Sequence, residues 1–122
     1  MTNAVRAIRG ATTIDEDTAA QVSERTAELL TAMLERNGVR TDDLISVVLT
    51  ATPDIHAMFP ATAAREVGLG AVPLLCASEI DVDGAMPLCI RVLAHLETAR
   101  PRDELHHIYL HGAKGLRDDL PD

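Results

Sequence analysis

The sequence predicts an α/β (α+β) fold in which a mixed β-sheet carries helices on one face. Three observations lead there. Segments of β-branched, strand-like character, 44–50 above all, are interleaved with segments whose apolar residues recur every three or four positions. The chain has 122 residues with no repeat, linker or low-complexity tract, which makes one domain spanning 1–122. Hydrophobic residues make up 47% of it and charged residues 25%, enough for a core. One layer of helices leaves the second sheet face to be covered. With 2% aromatic residues to fill that face, burial against copies of the same chain is the expected cover.

Taken in order, Ala4–Ala11 alternates small or apolar residues with arginines and reads as a strand entering a turn at Gly10. Arg6 and Arg9 are an odd number of residues apart, so in a strand they face opposite sides. Thr13-Ile14-Asp15-Glu16 fits a capping box, and Val22, Thr26, Leu29, Leu30, Met33 and Leu34 then trace a helix from about 16 to 37, stopped by Asn37-Gly38. Thr41-Asp42-Asp43 caps one further turn before a buried strand at 44–50. Residues 52–60 hold two prolines and no clean period, a loop at a strand end, where α/β proteins keep their sites. Pro60 opens a short helix through Val67, ended by Gly68 and Gly70, and Ala71–Cys76 forms a third strand. After the turn at Asp83-Gly84, the spacing of Leu88, Cys89, Val92, Leu93 and Leu96 predicts a second amphipathic helix through 97, ended by Pro101. His106–His111 is the last strand, and 116–120 a short polar tail.

Composition excludes several functions. A formal net charge of -8 opposes a phosphate backbone, and Phe59 and Tyr109 are too few aromatics for a base-stacking platform, so no nucleic acid partner is expected. The longest apolar stretch, 67–78, contains Pro73 and is shorter than the ~20 residues of a spanning helix, so no membrane partner is expected either. The opening residues carry no secretory pattern, and the expected location is cytoplasmic. Cys76 and Cys89 lie in no CxxC or Cys/His zinc spacing and are expected to be reduced. His106, His107 and His111 do not converge in a strand, and no glycine-rich phosphate motif occurs, so neither metal nor cofactor is expected.

What remains is a set of cationic and hydrogen-bonding residues beside apolar segments: Arg9, Arg65, Arg91, Tyr109 and the isolated Glu79. Arg91, flanked by uncharged residues, faces solvent on a polar side or is partly desolvated in a site. Several arginines with a Tyr and one Glu suit a small dianion that carries a hydroxyl, because the guanidinium fork binds carboxylates bidentately.

The ordered combination of Ile8–Thr13, Ser46–Pro60 with its core Ala51–Pro60, Val72–Val82, Cys89-Ile90-Arg91-Val92, His107–Leu110 and Leu116–Leu120 resembles the monofunctional AroH-class chorismate mutases over nearly the whole chain. The resemblance implies a homotrimer of pseudo-α/β-barrel appearance with its sites between subunits. It also implies the Claisen rearrangement of chorismate to prephenate, a unimolecular step towards phenylalanine and tyrosine that takes no cofactor. By resemblance Arg91 is the cation at the ether oxygen, Arg9 binds the enolpyruvyl carboxylate, and Tyr109 adds a hydrogen bond to it. Glu79 and Cys76 match the pair that meets the ring hydroxyl. Phe59, Ala61, Leu74 and Leu75 match wall positions, while Arg65, Leu116 and Arg117 match the mouth and the closing tail. The chain departs from the family at Thr62, where a Lys is common, and in a shorter loop around Gly68-Leu69-Gly70. A trimeric module that binds a small carboxylate without converting it is the alternative.

Overall fold

The first strand, β1 (Ala4–Thr13), begins the described part of the chain, residues 3–116 of a computed structural model. It runs through Gly10 without turning. A Cβ at Gly10 would collide with Met33 and press on Leu29, so the glycine serves close approach of the next helix rather than a bend.

That helix, α1 (Ala19–Asn37), starts later than the capping box predicts. Thr13 is still in the sheet, where its Oγ1 accepts the N–H of Gly112 at 2.9 Å, and Thr18 is the cap, its Oγ1 accepting from Gln21 N–H at 3.2 Å. Its buried stripe is Val22, Thr26, Leu29, Leu30 and Met33, and Gly38 ends it in the left-handed region at φ 62°.

One tight turn at Thr41–Asp43 leads into β2 (Leu44–Ala51), with a bulge between Leu44 and Ser46. The helix α2 (Pro60–Ala64) is shorter than expected and widens into a loose turn at Arg65–Leu69, where Gly68 takes φ 105°. The third strand, β3 (Leu74–Ser78), begins past Pro73, whose missing N–H suits a strand entrance.

Residues 89–98 correct the expectation of a second long helix: they form β4 (Cys89–Thr98), the central strand. Apolar spacing at 88, 89, 92, 93 and 96 mimics a helical stripe because both faces of this strand hold apolar groups. Ile90, Val92, Ala94 and Leu96 are buried on one side, while Leu93 lines a cleft on the other. The last strand, β5 (Ile108–Tyr109), is also shorter than the expected 106–111, since only Gly10↔Ile108 and Ala11↔Tyr109 pair.

Strand order is β3-β2-β4-β1-β5. β4 is antiparallel to both β1 and β2, whereas β3 and β5 lie parallel to β2 and β1, so the sheet is mixed. The core joins Ile8, Val47, Leu49, Val92, Ala94 and Leu96 of the sheet to Leu29, Leu30 and Met33 of α1 and Ala61 and Ala64 of α2. Both helices therefore cover one face, and the other is left open. Among the described residues no helix is long and apolar enough to cross a membrane.

Candidate active site on the open sheet face

Because successive side chains alternate across a strand, the register decides which residues share the open face. Ala11, Arg91 and Thr50 lie side by side across β1, β4 and β2, and Arg9, Leu93 and Val48 form the next row. Tyr109 is level with Ala11 on β5. These residues, with Leu116, line a cavity of about 310 Å³. Arg6 aligns with the buried Leu96, so it and Arg9 face opposite sides as the odd spacing requires.

Glu79 follows β3 and is turned towards Arg91. Its N–H donates to Ala51 O at 2.9 Å, Thr50 Oγ1 donates to its Oε2 at 2.6 Å, and Arg91 Nε lies 3.2 Å from the same oxygen. The side chains of Arg91 and Glu79 are 45% and 21% exposed, so the guanidinium is oriented from one edge while remaining open to the cleft. Among the described residues Arg9 has no salt-bridge partner, which leaves its fork available to an anion.

The other sequence-predicted residues lie elsewhere in the chain. Phe59, 73% exposed, and Cys76 line a second cavity of about 350 Å³ beside the 52–60 loop. Cys76 Sγ accepts the N–H of Ala61 at 3.3 Å and packs against the core, so within one chain it does not join Glu79. Leu75 projects from β3 on the open face, level with Val48 and 64% exposed, whereas Leu74 packs against the core and Ala61 is buried. Arg65 is exposed and donates to Thr62 Oγ1 at 3.4 Å, which gives Thr62 a partner in the turn that follows its helix. Arg117 lies outside the described residues.

The loop that carries Phe59 is held at its start and its middle. Asp54 accepts the N–H of Leu88 at 3.0 Å and the hydroxyl of Thr52 at 2.5 Å, and Asp17 accepts the N–H groups of His56 and Ala57 at 2.8 and 3.0 Å. The two prolines and two carboxylates thus make an ordered shelf from a segment without regular structure.

Ala11, Thr50, Val48 and Leu93 are cleft residues that sequence reasoning missed. Period-two alternation from Arg91 finds Leu93, but only once 89–98 is read as a strand, and Thr50 needs the β2–β4 register.

Comparison with known proteins gives this geometry its context. The family model described as chorismate mutase type I matches residues 5–120. The chorismate mutase AroH of Bacillus subtilis (strain 168) is 43% identical over 117 residues, covering 95% of this chain and 92% of that one. AroH of Thermus thermophilus is 48% identical over 117 residues, covering 95% and 96%. Among solved structures, a chorismate mutase from Clostridium thermocellum superposes with a TM-score of 0.88 at 46% identity, over 89% of this chain and 97% of that one. With a mixed sheet, a cleft lined by two arginines and a match along nearly its full length, the chain belongs to the type I chorismate mutase family.

Proposed function

We propose that the protein converts chorismate to prephenate in a cytoplasmic homotrimer, each cleft on the open sheet face being completed by a neighbouring copy. The observation that carries the reading is the meeting of Arg9, Arg91 and Tyr109 around one cavity, with Arg91 oriented by Glu79.

The rearrangement breaks a C–O bond and forms a C–C bond within one molecule, so it asks for neither nucleophile nor proton transfer and takes no cofactor. Two physical contributions remain. The first is conformational: the enolpyruvyl arm must lie over the ring, and holding both carboxylates removes the freedom that opposes it. In this reading Arg9 takes the carboxylate of the arm by its fork and Tyr109 adds a hydrogen bond. The second is electrostatic. Breaking the C–O bond ahead of C–C formation places negative charge on the ether oxygen, and a preoriented guanidinium at Arg91 stabilises that charge more than the ground state.

Glu79 has two roles here. It fixes Arg91 through Nε, and its remaining acceptor capacity meets the ring hydroxyl, where Cys76 of a neighbouring copy is the second partner. Phe59, Arg65 and Leu75 lie outside the Arg9–Arg91 cavity of their own chain, and a neighbouring copy supplies them as walls and mouth. Leu116 already lines the cleft, and Arg117 follows it as part of the closing tail.

The test is the loss of chorismate ultraviolet absorbance with prephenate identified as product, run beside Arg91→Ala. Turnover by the wild type with a fall in kcat of ~10²-fold or more in the variant is expected. Binding of chorismate without conversion would instead make the protein a carboxylate-binding module.

A further inference from the structure

Where the last strand meets β1, a side chain takes the place of a ladder bond. Pairing between β1 and β5 covers only Gly10↔Ile108 and Ala11↔Tyr109, and one residue earlier the backbone N–H of Arg9 donates to Nδ1 of His107 at 2.9 Å. An imidazole nitrogen that accepts carries no proton, so the ring holds its proton on Nε2.

The chain just before this ring is itself fixed. Asn37, the last residue of α1 and 1% exposed, accepts the N–H of His106 at 2.7 Å and donates through Nδ2 to His106 O at 2.9 Å and Met33 O at 2.8 Å. A continuous path therefore runs from the end of α1 through the backbone of His106 and the ring of His107 to the backbone of Arg9. On its other side Arg9 is level with Leu93 of β4.

We infer that His107 is a positioning residue for Arg9, acting on the substrate carboxylate through the Arg9 backbone without touching substrate. The inference rests on the reading of Arg9 as the carboxylate ligand. A bidentate fork loses much of its effect when displaced by about 1 Å, and without the ring the Arg9 N–H loses its acceptor on the β5 side, so the middle of β1, which carries the fork, is held there only by β4. The ring does what a longer β5 would do, and it leaves the preceding residues free to meet Asn37.

The variants His107→Ala and His107→Asn separate positioning from general stability. In Asn the Oδ1 is as many bonds from Cα as Nδ1 is in His, so it restores the acceptor without the ring. Chorismate kinetics, thermal midpoint and hydrogen exchange of the Arg9 amide are measured on the full chain. His107→Ala is expected to raise KM about 10-fold with kcat within about 3-fold and to speed Arg9 amide exchange, while His107→Asn returns KM to within about 2-fold of wild type. If the Ala variant does not fold, His107→Gln replaces it, since its acceptor lies one bond further out and should not rescue. An unmoved KM in a wild-type background that turns over chorismate overturns the inference alone, as does an Asn variant no better than Ala or Gln at equal thermal midpoint. Wild-type protein that leaves chorismate unchanged overturns the reading beneath it, whatever the amide exchange shows.

Discussion

Arg91 and Glu79 form an ion pair whose value lies in direction more than in stability. With the guanidinium side chain 45% exposed, solvent screens the pair and its contribution to folding is within about 1 kcal/mol. Orientation is a different matter, because Thr50 holds the carboxylate and the carboxylate holds Nε. Two residues before Arg91, Cys89 shows the opposite environment. Burial pushes its thiol above the ordinary cysteine range, and the charge of Arg91 opposes that only in part. A raised pKa means less thiolate at any given pH, so Cys89 is expected to resist alkylation near pH 8 while the half-buried Cys76 reacts. Mass spectrometry after brief iodoacetamide treatment of the native protein checks this, and equal labelling of both thiols would contradict it. At this scale the sequence was informative about residue type: Arg9, Arg91, Glu79 and Tyr109 stand out as polar groups in apolar surroundings. Thr50 did not stand out, because a threonine in a β-branched strand looks like any strand residue until its partner across 29 positions is known.

Between elements, the contacts that position the cleft are made by groups with little helical or strand propensity of their own. Gly10 lets α1 approach β1, and Asn37 binds the segment entering β5. Replacing Asn37 by Ala removes three hydrogen bonds, two of them to the half-buried backbone of His106 and one to Met33 O within α1, at a cost of about 2–4 kcal/mol. Thermal or urea unfolding reads that cost, and a change below 1 kcal/mol would mean that water or another group replaces the amide. The same level explains why some elements were legible and others not. The stripe on α1 is long and one-sided, and 3.6-residue periodicity found it, while its start was displaced because Thr13 is used by the sheet and Thr18 by the helix. The segment 89–98 reads as a helix because Cys89 and Leu93 put apolar residues on the outward face, where with Leu88, Val92 and Leu96 they fall at helical spacing, although Arg91, His95 and Glu97 keep the polar half of a strand alternation.

For the whole molecule, the open sheet face is the feature that the single chain leaves unresolved. Both helices lie on the opposite side, and Val5 and Leu75 on this face are 61% and 64% exposed. Under the proposed trimer these groups are covered, and the residues around Phe59 and Cys76 reach a neighbour's Arg9–Arg91 cleft. Analytical ultracentrifugation is expected to give three copies, and Leu75→Asp to shift the population towards monomer with loss of turnover. A fully active monomer would contradict the shared site. By itself, the sequence determined the fold class and the family, since these follow from composition, short-range periodicity and an ordered set of motifs along the chain. Tertiary structure alone decided that 89–98 is the central strand, that Thr50 holds Glu79 and that His107 holds Arg9. Each of these depends on register between segments far apart in the chain, and register is set by which faces the packed helices bury rather than by any local preference of the residues involved.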